Sequence, residues 1–173
     1  MILAPNNGAL GIQPAGTIVR CINRDATAVV IGDVVVTSFG HSGAIYPPAE
    51  TTASFELSPF SCVIRAEGDQ ASLRTGYVGV VTALSSSSNS GATGQAVQVQ
   101  FGGICSAKVR AASATAVAMG NALSLSDTVG EFAIGDATAS THIAAIALGA
   151  VTANTQAIIP VLVVNQPVAG VAI

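Results

Sequence analysis

The stretch Ala96–Phe101 reads AVQVQF. Val97, Val99 and Phe101 fall on one side of an extended chain, and Gln98 and Gln100 on the other. That period of two marks a half-buried β-strand. The same texture recurs on both sides of it. Upstream lie TIVRCIN (17–23), DVVVTS (33–38), FSCVIRAE (60–67) and YVGVVTAL (77–84). Downstream, strands are expected over 104–110, 122–126, 131–134, 143–148 and 157–164. Val, Ile and Thr dominate these segments, as suits a pleated surface, and Gly, Asn, Asp, Ser or Pro separates most of them. About ten short strands at near-regular spacing predict an all-β fold, a compact barrel or sandwich with long loops. Pro160 inside the last segment predicts an edge position or a bulge.

Three regions follow from this pattern: an N-terminal arm over 1–15, a β domain over 16–164 and a C-terminal tail over 165–173. The uncharged stretch SSSSNSGATGQ (85–95) reads as an exposed loop, either a hairpin tip or a link between two lobes. Phe39–Ser54, with Gly40, Gly43, Pro47 and Pro48, reads as a long excursion. In the arm, Ile2, Leu3, Leu10 and Ile12 are apolar, while Pro5, Asn6, Asn7 and Gly8 interrupt any continuous element. These four apolar residues are candidate intermolecular contacts; a strand of the protein's own barrel is the other reading.

Two segments echo one another. AVVIGDVVVTS (28–38) and AVAMGNALSLS (116–126) align without a gap, and Ala28, Val29, Gly32 and Ser38 recur as Ala116, Val117, Gly120 and Ser126. In the same register Arg20 matches Lys108. Gly32-Asp33 and Gly120-Asn121 are candidate structural turns. Glycine supplies positive φ, and Asp or Asn can cap the turn through its side chain. A repeated strand–turn–strand unit is the physical reading, although chance can yield one such match in an Ala/Val-rich chain.

Composition narrows the function classes. The chain has 173 residues and 17.0 kDa, of which 50% are apolar, 4% aromatic and 9% charged. A soluble domain of this length carries about 43 charged residues at the usual ~25%; this one has six basic and nine acidic. Spread over a monomer surface on the order of 7,700 Å², they leave solubility to Ser, Thr, Asn and Gln, or leave much of the surface for other chains. The net charge of −3, one lysine and five scattered arginines argue against nucleic-acid binding. No apolar run approaches the ~18 residues of a membrane-spanning helix, so the mean hydropathy of +0.63 points to many short buried segments. The N-terminus lacks the charged and apolar regions of a signal peptide.

Chemistry-bearing residues are sparse. His41 and His142 have no ligand-spaced partner, and no nucleophile, phosphate-loop or zinc motif is present. Glu67 and Asp69, and likewise Asp127, Glu131 and Asp136, read as hairpin ends. Cys21, Cys62 and Cys105 are odd in number and lack CxxC spacing, which favours free thiols in a reducing compartment over one disulfide. No enzyme activity, cofactor or metal is expected.

The carboxy-terminal half, VAMGNALSLSDTVGEFAI (117–134), THIAAIALGAV (141–151) and QAIIPVLVV (156–164), resembles the capsid decoration, or cement, proteins of tailed bacteriophages. The matching features are Gly120-Asn121, Leu123, Gly130 with Phe132, Ile146–Leu148 and the last apolar strand. Val19–Val36, GYVGVVTA and GQAVQVQFGG are similar to the opening and central strands of the same proteins. The Phe39–Ser54 excursion and the Ser-rich loop depart from the pattern. The resemblance implies a structural virion protein, made in the host cytoplasm and placed on the outer capsid surface. It implies a homotrimer that binds the major capsid protein and stabilises the mature lattice. A β-rich fibre, spike or other host-binding module is the alternative; the absence of Trp weakens a sugar-stacking site.

Overall fold

A computed structural model of the chain describes residues 16–37, 62–66, 77–84, 91–111, 114–134 and 143–166. It is all-β, with no helix among the described residues and ten strands: β1 (Ile18–Asn23), β2 (Val34–Thr37), β3 (Cys62–Arg65), β4 (Val78–Ala83), β5 (Ala96–Gln100), β6 (Gly103–Arg110), β7 (Ala122–Leu125), β8 (Phe132–Ile134), β9 (Ile143–Ala147) and β10 (Gln156–Gln166). The predicted strands match these within a few residues. The arm residues Ile2, Leu3, Leu10 and Ile12 lie outside the described residues, as do His41, His142, Glu67, Asp69 and Asp136.

The strands form two curled sheets, each closing on itself. The first runs β1-β3-β2-β4-β5 and the second β10-β6-β8-β7-β9. The pairing pattern is the same in both. β1 lies parallel to β3 and antiparallel to β5, just as β6 lies parallel to β8 and antiparallel to β10. The second strand of each half pairs with the third and fourth, and the fourth pairs with the fifth. The chain is therefore a tandem of two five-stranded barrels. It crosses between them at Phe101–Gly102; the described part of the Ser-rich stretch, 91–95, leads into β5 inside the first barrel.

Alternation decides what fills each barrel. Cys21, Val35, Val63, Val81, Val97 and Val99 form the first interior with Val29. The neighbouring residues Val34, Val36, Val78 and Val80 point the other way, yet they are also buried, in one cluster with the interior of the second barrel. That is why β2 is an unbroken apolar run: both of its faces are covered. Small side chains suit so narrow a barrel. In the second barrel Ala107, Ala145 and Ala147 leave room that Phe132 and Leu123 fill, all at 0% exposure.

Two expectations are corrected. Gln100 was expected on a solvent face but is buried. Its Nε2 donates to the carbonyls of Gly102 (2.8 Å) and Ile104 (2.9 Å), pinning the inter-barrel crossing. Pro160 is neither at a sheet edge nor in a bulge, because β10 is flanked by both β6 and β9. It sits opposite Ser106 and just beyond the end of β9, whose last residue Ala147 faces Val161. The only ladder bond its missing N–H forfeits is at that rim, where Leu148 N–H still donates to the Pro160 carbonyl at 2.9 Å.

Candidate interaction surface

The two glycine turns occupy corresponding places. Gly32 has φ of 92° and Gly120 of 90°. Asp33 Oδ2 accepts Val30 N–H at 2.8 Å, and Asn121 Oδ1 accepts Ala118 N–H at 2.7 Å. Gly32 N–H donates to the Val81 carbonyl and Gly120 N–H to the Ala147 carbonyl, both at 2.8 Å. Before the last strand of each half, Gly94 (φ 81°) and Asn154 (φ 61°) hold a second matching pair of turns. The sequence echo is thus one part of a whole-barrel repeat.

The first turn does more than reverse the chain, since it docks on the second barrel. Lys108 N–H donates to the Gly32 carbonyl at 2.9 Å, and the Lys108 ammonium bonds Asp33 Oδ1. The Gly130 carbonyl accepts Val34 N–H at 2.9 Å, while Gly130 N–H donates to the Ala66 carbonyl at 2.7 Å. A Cβ on Gly32 would lie 3.3 Å from Ile158 Cδ1, so the turn is seated against β10 as well.

Beside this junction lies an exposed apolar strip. On β10, Ile159, Val161 and Val163 face inward. Ile158 and Pro160 are exposed on the outer face and Leu162 is half-buried there. Ile104 stands opposite Leu162 on β6 and is 49% exposed. Ile31, at the tip of the docked turn, extends the strip at 50% exposure. The one charge within it, Lys108, is neutralised by Asp33. Such a surface can bind another protein's apolar surface, with little desolvation cost and no catalytic chemistry. Sequence reading placed β10 correctly but assigned no role to its outer face. The unbroken run IIPVLVV was the available signal, because a strand apolar on both faces has a second face to cover.

Several polar residues hold the turns and strands together. Burial alone would raise the Asp25 carboxyl, but hydrogen bonds from the Arg65 side chain, Thr27 N–H and hydroxyl, and Arg65 N–H outweigh it and hold the pKa below the usual aspartate value. Asn23, fully buried, donates to the carbonyls of Gly91 (2.6 Å) and Thr27 (3.1 Å) and accepts Asp25 N–H (2.8 Å). Glu131, expected at a solvated hairpin end, is only 6% exposed and forms a two-pronged pair with Arg110 (2.6 and 3.1 Å). Cys21 is buried and unbridged; Cys105 is also unbridged, and burial pushes its thiol up to about 11. No group of three or more His, Cys, Asp or Glu gathers among the described residues. Compared with known proteins, the chain matches no family model, no curated protein and no solved structure.

Proposed function

We propose that the chain is a structural virion protein, a capsid decoration protein that binds the major capsid protein on the outside of a phage head. One observation carries the reading beyond the sequence resemblance: the outer faces of β2 and β10 are both apolar, but Val34 and Val36 on β2 are buried within the chain, whereas Ile158 and Pro160 on β10 are exposed. The bare face of β10, continued by Ile31 and Ile104, supplies binding energy that a shell of many identical sites collects many times over. A protein that binds only the mature lattice stabilises it by mass action.

The test is the copy number on purified parent particles, measured by quantitative mass spectrometry and imaging. Hundreds of copies over the shell support decoration. A few copies at a vertex or tail support the fibre or spike reading instead. Ile104→Asp, on the strip but away from the inter-barrel junction, should abolish shell binding while leaving the far-UV spectrum unchanged.

A further inference from the structure

The repeat leaves one junction made and its counterpart unmade. Within the chain, the β2 turn of the first barrel sits on β6 and β10 of the second, on Lys108 and Ile158. The matching turn of the second barrel is Ala118–Asn121. There Met119 is 72% exposed, and a Cβ on Gly120 would meet nothing within 4 Å. The matching seat on the first barrel is Arg20 on β1 and Gln98 on β5, which face one another in register as Lys108 and Ile158 do. Arg20 and Gln98 are exposed, and Ile18 beside them is 55% exposed.

We infer that the Met119 turn of one copy docks on the Arg20–Gln98 seat of a second copy, head to tail, reproducing the internal junction between chains. The side chains have changed on both sides and remain complementary. Met119 stands for Ile31, and its adaptable thioether packs on the aliphatic stems of Arg20 and Gln98. Asn121 stands for Asp33, but its one carbonyl oxygen already accepts Ala118 N–H, so no counterpart of the Lys108–Asp33 ion pair forms. Without that ion pair the interchain junction is weaker than the internal one and depends on concentration. Because the two surfaces differ, the contact is heterologous, and repetition closes a ring when the rotation per copy divides a full turn. The inference rests on the repeat alone and is independent of any capsid.

Sedimentation velocity on the full chain from 1 to 100 µM tests it, with Met119→Arg, Arg20→Glu and the double variant. The wild type should sediment as species larger than the monomer, in a concentration-dependent way. Each single variant should be largely monomeric at 100 µM, and the double variant should reassemble because Arg and Glu now meet. Both positions are exposed, and an unchanged far-UV spectrum and thermal midpoint verify that each variant folds. A wild type that stays monomeric at 100 µM, single variants that assemble normally, or a double variant that stays monomeric overturns the inference. Ile104→Asp, on the apolar strip but outside both the internal junction and the junction between copies, should leave the oligomer intact, separating this test from that of shell binding.

Discussion

Lys108 ties the two barrels together twice, through its ammonium to Asp33 and through its backbone N–H to the Gly32 carbonyl at 2.9 Å. Asp33 also caps its own turn by accepting Val30 N–H. Its two oxygens therefore serve separate purposes, and substitutions can part them. Asp33→Asn keeps the cap and loses the ion pair, reproducing what Asn121 does in the second barrel. It should cost about 1–2 kcal/mol. Asp33→Ala loses the cap as well and should cost about 1 kcal/mol more than Asp33→Asn, the worth of one hydrogen bond. Urea unfolding measures the difference.

Gly32 and Gly120 share a backbone conformation but not an environment. Alanine at Gly120 meets only the strain of positive φ, about 1 kcal/mol. Alanine at Gly32 adds to that strain a tight contact, 3.3 Å from Ile158 Cδ1, to which the isoleucine side chain must yield by a few tenths of an ångström. Gly32→Ala should therefore be the more destabilising of the two by equilibrium unfolding; equal costs would mean the turn is not tightly seated.

Acid should weaken the loop that follows β1. The Asp25 carboxylate is held below its ordinary pKa, so its pairing with Arg65 contributes fully above about pH 4. That contribution fades as the pH falls through the lower folded value. Asp25→Asn should be less stable than the wild type at pH 7 and should show a smaller further loss between pH 4 and pH 2. The comparison is the thermal midpoint of both proteins at each pH.

The Cys105 thiol, pushed up to about 11, is almost wholly protonated at pH 7.5. Site-mapped alkylation by iodoacetamide should be slow at that pH and still be accelerating at pH 10, where an ordinary thiol near 8.5 has nearly saturated.

Expressed alone, residues 1–102 should not give a stable barrel. Val34, Val36, Val78 and Val80 belong to the cluster that fills the second barrel, and each contributes about 2 kcal/mol when buried. Gel filtration and circular dichroism of this fragment should show unfolded or aggregated material.

The strands were legible because period-two alternation is local, as at Val97, Gln98 and Val99. The closure into two barrels was not, because β1 meets β5 across more than seventy residues and no local pattern encodes that. The Ser-rich stretch announces a loop by its composition, but composition does not say whether that loop is a hairpin tip or a link between lobes. The actual crossing is the short Phe101–Gly102 step, held by the Gln100 amide. The turns at Gly32 and Gly120 were readable from their residues, since few types adopt positive φ. The strip on β10 was not, because an apolar run does not say which face stays bare.

The shared pairing order has a kinetic consequence. Closing the parallel pair of the first half brings Ile22 to Cys62, whereas the second half needs only Val109 to reach Phe132. The shorter closure is favoured by about 0.5 kcal/mol of chain entropy, roughly a twofold difference in rate. The second barrel also presents the surface on which Val34 and Val80 settle. Folding should therefore nucleate in the carboxy-terminal half, which then templates the amino-terminal half. During synthesis the first barrel leaves the ribosome before its template exists, and its exposed valines must wait for it.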